Sequence, residues 1–142
     1  MDQSLIFWPM ITHAALVFIV YFELGRRRFH AAKTGKLEMD DYKILGRSIE
    51  PDACAQAARN IVNNFEVPLL FHGVVLALFV TNLVTFPLLV LAWLFFGSRV
   101  AHTIVHLTYN NVMHRGFCFF TGVFILVAMW ILFASTLYSG TI

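Results

Sequence analysis

The chain is 142 residues long, 59% of them hydrophobic and only 13% charged, with a formal net charge of +2. A soluble domain carries about a quarter charged residues and still exposes much of its surface, so a soluble core of this size could not hide so much apolar side chain. Composition therefore points to bilayer hydrocarbon as the solvent, to a single domain over residues 1–142, and away from a nucleic-acid partner.

The first apolar run, about residues 5–25, covers ~30 Å at ~1.5 Å per residue, the thickness of the hydrocarbon core. It does not read as a cleavable signal peptide. Only Asp2 is charged before it, while Arg26, Arg27 and Arg28 come after it with no small-residue cleavage site. A polar loop over about 26–55 holds most of the charge, and Pro51-Asp52 at its end suits a helix start. The second span is expected at about 58–84. Pro68 lies inside it and is expected to kink the helix or free the carbonyl of Asn64. Thr85-Phe86-Pro87 reads as a short break with a cap and a helix-compatible proline. The third span is expected at about 86–110 and the fourth at about 115–138, with Trp8 and Tyr138 as interfacial aromatics. The result is an all-α, integral membrane, four-helix up-down bundle.

Every Lys and Arg falls in the first loop, at the start of the second span (Arg59), in the turn before the fourth span (Arg115), or inside the third span at Arg99; neither terminus nor the 84–87 connection holds any. The positive-inside rule puts the first loop in the cytoplasm and both termini on the opposite side. Arg26, Arg27 and Arg28 read mainly as topology anchors in contact with anionic membrane lipids. Cys54 and Cys118 show no paired spacing and read as reduced thiols.

Polar residues inside spans are costly and therefore informative. Arg59, Asn63 and Glu66 recur at i, i+4, i+7 on one face of the second span, and Arg99, His102, His106 and Tyr109 recur at helical spacing on the third. By depth, Glu66 is level with Arg99, and Arg59 is level with His106, Tyr109 and the Arg115 turn. An interhelical Glu66–Arg99 ion pair follows, at the floor of a cavity open to the cytoplasm and basic at its mouth. Arg59 and Arg115 have no evident acidic partner, though Asp40, Asp41 and Glu50 could serve. A purely structural polar network is the competing reading. No metal site is expected: His102 and His106 lack accompanying acidic or histidine ligands. A haem held by His72 and His102 is a remote alternative.

The run Arg59-Asn60-Ile61-Val62-Asn63-Asn64-Phe65-Glu66, followed by Pro68, resembles the second-helix signature of the MAPEG family, membrane-associated proteins in eicosanoid and glutathione metabolism. The stretch Phe96–Thr108 resembles the third helix of the microsomal glutathione transferase branch. Arg115 falls where that branch has an arginine opening the fourth helix. The resemblance covers roughly residues 55–138. It implies a homotrimer that binds glutathione as co-substrate between protomers on the cytoplasmic side. Arg59, Asn63 and Glu66 would come from one subunit. Arg99, Arg115 and one of Arg26, Arg27 or Arg28 would come from the next, with His102, His106 and Tyr109 alongside. The implied chemistry is thiol attack on an apolar electrophile or a lipid hydroperoxide, with Arg115 favouring the thiolate. Two departures stand out. The family usually has tyrosine at His106, which leaves Tyr109 as the substitute on that face. The leukotriene-synthase branch has tyrosine where this chain has Val67, which disfavours leukotriene synthesis. A non-catalytic member of the same fold, binding a thiol, lipid or protein partner, is the alternative.

Overall fold

A computed structural model of the chain describes residues 1–36 and 50–139. They form four α-helices in up-down order: α1 (Phe7–Lys33), α2 (Asp52–Val80), α3 (Phe86–Leu107) and α4 (Val112–Ser139). All four are long and apolar enough to cross a membrane.

Two elements run beyond their expected spans. α1 continues to Lys33 and α2 begins at Asp52, so much of the expected 26–55 loop is helical where it is described. Hydropathy marks only the stretch that lies in hydrocarbon, and a charged helical extension projecting into the interface escapes it. Asp40, Asp41, Lys43 and Arg47 lie outside the described residues.

The ends are set by local chemistry. A 3₁₀ turn, Gln3–Ile6, precedes α1, and the Asp2 carboxylate accepts the Ser4 backbone N–H at 2.9 Å. The Gln3 side-chain amide then pairs with the backbone of Val84: it donates to the Val84 carbonyl at 3.3 Å and accepts its N–H at 2.8 Å. That satisfies the break between α2 and α3 at a membrane face, where unpaired backbone is costly. Thr85 occupies the N-cap of α3, but its side chain makes no capping bond; Pro87 in the first turn removes one of the donors that a cap would have served. α2 runs unbroken through Pro68, which is buried. Between α3 and α4, Asn110 takes a left-handed conformation with φ 48°, which asparagine is one of the few side-chain-bearing residues to tolerate. Asn111 caps α4, its side-chain oxygen accepting the N–H groups of Met113 at 3.0 Å and His114 at 3.1 Å.

The most extensive packing is α3 on α4, followed by α1 on α2. One apolar core lies toward the α2–α3 connection, around Phe71, Leu78, Leu88, Phe95 and Met129. A second lies toward the loop end, around Val20, Leu24, Ala57 and Ile61. Between them runs a buried polar layer: His13, Asn60, Asn64, Arg99, His102, Thr103 and His106. Lipid is as apolar as leucine, so packing and interhelical hydrogen bonds, rather than hydrophobic burial, hold such helices together. The layer is thus both the specificity of the bundle and the place to look for a site.

Candidate functional site

Four of the sequence-derived site residues converge. Arg59 and Asn63 of α2, His102 of α3 and Arg115 of α4 line one cavity of about 270 Å³, completed by Gly116 and Phe119. Arg115 is held in place by its surroundings. Asn111 starts α4 one turn earlier, and the left-handed Asn110 presents its side-chain oxygen to Arg115 Nη1 at 2.9 Å. Among the described residues Arg59 has no ion pair and no carboxylate lines the cavity. His102 is almost fully buried, and its Nδ1 has no hydrogen-bond partner among the described residues. Two guanidiniums, a side-chain amide and an imidazole nitrogen around this cavity suit an anion with several hydrogen-bonding groups.

Four other expected residues stand elsewhere. The Glu66–Arg99 ion pair is absent. Glu66 is exposed on the outer face of α2. Arg99 is fully buried, its guanidinium between the rings of Phe95 and Phe119 at 5.8 and 5.1 Å. Among the described residues its Nη2 makes only long contacts, 3.5 Å, to the carbonyls of Cys118 and Phe119, while Nε and Nη1 have no partner. Equal depth was the ground for the pair, and depth says nothing about rotation around the helix axis. Tyr109 is the second correction. α3 ends at Leu107, so helical spacing no longer governs Tyr109, which is exposed and bonded through its hydroxyl to His114 Nδ1 at 3.1 Å. His106 is buried but turned away from the cavity toward α2.

His106 belongs to a network that the stripe reading missed. The Asn60 side-chain N–H donates to His106 Nδ1 at 2.9 Å. The Asn60 oxygen accepts from Asn64 at 2.9 Å and from the Thr103 hydroxyl at 3.4 Å. Those two donors orient the Asn60 amide and so assign its nitrogen to His106, which then carries its proton on Nε2. Asn60 with Asn64, and Thr103 with His106, are i, i+4 and i, i+3 pairs. A second polar stripe on each helix was the available signal.

The α1 arginines are engaged nearby. Glu23 pairs with Arg26 and Arg27, each at 2.7 Å, and Arg28 pairs with Glu50 at 2.6 Å. Glu50 is therefore committed to Arg28 rather than to Arg59 or Arg115. Arg26 and Arg27, with His30, Lys36 and Cys54, line a separate cavity of about 420 Å³ at the loop end. Among the described residues no group of three His, Cys, Asp or Glu side chains could hold a metal ion.

Four apolar helices with a buried polar layer and a basic cavity at one end fit a multi-pass integral membrane protein. A model of the MAPEG family matches residues 6–135, and the chain belongs to that family. Comparison with curated proteins and with solved structures finds no match.

Proposed function

We propose that this protein is a membrane-bound glutathione transferase or peroxidase of the microsomal glutathione transferase branch, acting as a homotrimer with residues 1–142 as one domain. The supporting observation is the convergence of Arg59, Asn63, His102 and Arg115 on one cavity, with no carboxylate lining it among the described residues. Glutathione brings two carboxylates for the guanidiniums and an ammonium for Glu66, further along the Asn63 face of α2. The family resemblance divides Arg59 and Arg115 between neighbouring protomers, whereas here both line the cavity of one chain. The neighbour's contribution then falls to the exposed side of α2, on which Glu66 lies. An ionised carboxylate facing hydrocarbon costs several kcal/mol, on the order of 3, so this face calls for a covering subunit or ligand.

Arg115 beside the thiol favours the thiolate. In transfer, the sulfur bonds to the electrophilic carbon as the leaving group departs with its electron pair, and the thiol proton passes to solvent. In peroxide reduction, two glutathiones become the disulfide and the hydroperoxide becomes an alcohol and water. Apolar electrophiles reach the site from the lipid. The loop end faces the cytoplasm, where glutathione is made.

The test is glutathione binding to purified protein, with thiolate absorbance near roughly 240 nm as readout. Arg115→Ala is expected to abolish that band while sparing much of the binding. Absence of binding at about millimolar glutathione would end the proposal.

One observation favours a second reading, a non-catalytic MAPEG-fold protein binding a thiol, lipid or protein partner. Among the described residues no tyrosine lines the cavity: His106 stands at the usual tyrosine position and is engaged by Asn60, and Tyr109 is turned to His114. Glutathione binding without turnover against a broad panel of electrophiles would select it.

A further inference from the structure

The cavity of about 420 Å³ at the loop end lies between the last turns of α1 and the first turn of α2, apart from the one lined by Arg59 and Arg115. Arg26, Arg27, His30, Lys36 and Gln56 supply its polar lining, and among the described residues no carboxylate lines it. Charge there is out of balance. Glu23 serves both Arg26 and Arg27, so two guanidiniums share a single carboxylate, and Lys36 has no ion pair among the described residues. Glu50 is taken by Arg28, and Asp52, in the first turn of α2, does not line the cavity. Donors are left over as well. Glu23 accepts from Nε and Nη2 of Arg26, which leaves Nη1. The Gln56 side-chain oxygen accepts from Arg27 Nη1 at 2.9 Å, which leaves the side-chain N–H groups of Gln56. His30 is exposed one turn beyond Arg26, and the chain folds back at Lys36, whose backbone N–H donates to the Ala31 carbonyl at 3.0 Å.

The matching occupant carries about two negative charges and acceptor oxygens that face several donors at once. A phosphate monoester does both: its second ionisation lies near pH ~6, so it is close to a dianion at neutral pH, with terminal oxygens pointing in different directions. A phosphodiester and a carboxylate each bring a single charge. Position favours a lipid as the carrier. The cavity lies where α1 leaves its apolar run, past Leu24, at the depth of the headgroups. Phe22 is one turn below Arg26 and Phe18 one turn below Phe22; both are exposed, so an acyl chain has an apolar stripe to follow into the hydrocarbon. Diffuse attraction of basic residues to an anionic surface follows charge alone, whereas donors set around a cavity select by headgroup. We propose that this α1–α2 cavity binds the phosphomonoester headgroup of a phosphatidate-like lipid through Arg26, His30, Lys36 and Gln56, with an acyl chain along Phe22 and Phe18. The site is separate from the Arg59–Arg115 cavity and does not depend on glutathione binding there.

The test uses the full protein in detergent, mixed with equal amounts of dioleoyl phosphatidate and dioleoyl phosphatidylglycerol, and counts bound lipids by native mass spectrometry. Phosphatidate is expected to be retained at least about fivefold more than phosphatidylglycerol, the scale of one charge-assisted hydrogen bond. Lys36→Gln and Arg26→Gln should each bring the two lipids close to parity. Lys33→Gln removes the same charge from an exposed position on α1 that does not line the cavity, and should leave the preference intact. Equal retention of the two lipids, a preference that survives Lys36→Gln and Arg26→Gln, or a loss as large with Lys33→Gln would overturn the proposal. Two soluble competitors separate the sources of the anion. Displacement of phosphatidate by equimolar glycerol phosphate would assign the cavity to a free phosphate ester, and displacement by about millimolar glutathione would make it part of the glutathione site; either overturns the lipid assignment. All three substituted side chains are exposed, and should one variant fail to fold, the comparison of the two lipids and the two competitors on the unaltered protein decides alone.

Discussion

At the scale of single residues, Gly122 and Arg99 form one contact. A Cβ at Gly122 would stand 2.6 Å from Ser98 Oγ, 3.2 Å from Arg99 Nη2 and 3.4 Å from Arg99 Nε. Ser98 has little freedom to yield, because its hydroxyl donates to the Phe95 carbonyl at 2.6 Å. The bare backbone of α4 is thus what admits the guanidinium between Phe95 and Phe119. Gly122→Ala is expected to destabilise the protein by about 1–3 kcal/mol, the range for overpacking a filled interior. Thermal unfolding in detergent, followed by circular dichroism, measures it. Gly97→Ala is the control: nothing lies within 4 Å of its added Cβ, and alanine improves helix propensity by about 1 kcal/mol. Equal melting of Gly122→Ala and the unaltered protein would mean that α3 and α4 separate easily here. None of this was legible in the sequence, where Gly122 is one glycine among several and Arg99 looked ready for Glu66. A contact between helices has no local signature.

At the scale of elements, Arg27 ties three helices together. From α1 its Nη1 donates to the Ala53 carbonyl at 2.8 Å and the Gln56 side chain at 2.9 Å on α2. Its Nη2 donates to the Leu107 carbonyl at 2.9 Å, one of the unpaired carbonyls at the end of α3. Glu23 fixes the guanidinium from below at 2.7 Å. The side chain is only 15% exposed, so water screens these bonds little. Arg27→Ala is expected to lower stability by about 1–3 kcal/mol in the same melting assay, the range for hydrogen bonds to a charged group. Arg27→Lys should recover little of the loss, because an ammonium cannot span three directions with a planar fork. Full recovery by lysine would show that charge alone matters. The sequence reading made Arg27 one of three interchangeable topology anchors, which describes Arg26 better. What separates them is which carbonyls happen to lie within reach, and that is decided where α1, α2 and α3 converge.

At the scale of the whole molecule, the described cations other than Arg99 gather at one end, on Arg26 to Lys36, Arg59 and Arg115. A cytoplasmic orientation of that end is expected from the bias. In a background carrying Cys54→Ala and Cys118→Ala, a membrane-impermeant maleimide should label Ser4→Cys in intact cells and Lys36→Cys only after lysis. The reverse pattern would invert the orientation and remove glutathione access from the cytoplasm. Four spans, their order, the clustering of charge and the family were all readable from the chain alone. Hydropathy and motif spacing are local properties, and a bilayer forces every long apolar run to become a helix of about its own thickness. That Arg59, Asn63, His102 and Arg115 line one cavity was within reach of the same signals, because helical periodicity and depth bring them to one end of the bundle. Rotation of each helix about its axis was settled only by the tertiary structure. It turned Glu66 outward, closed Arg99 between two rings and gave His106 to Asn60. The reason is that insertion energy depends on depth alone and is nearly blind to azimuth, whereas packing and interhelical hydrogen bonds depend on little else.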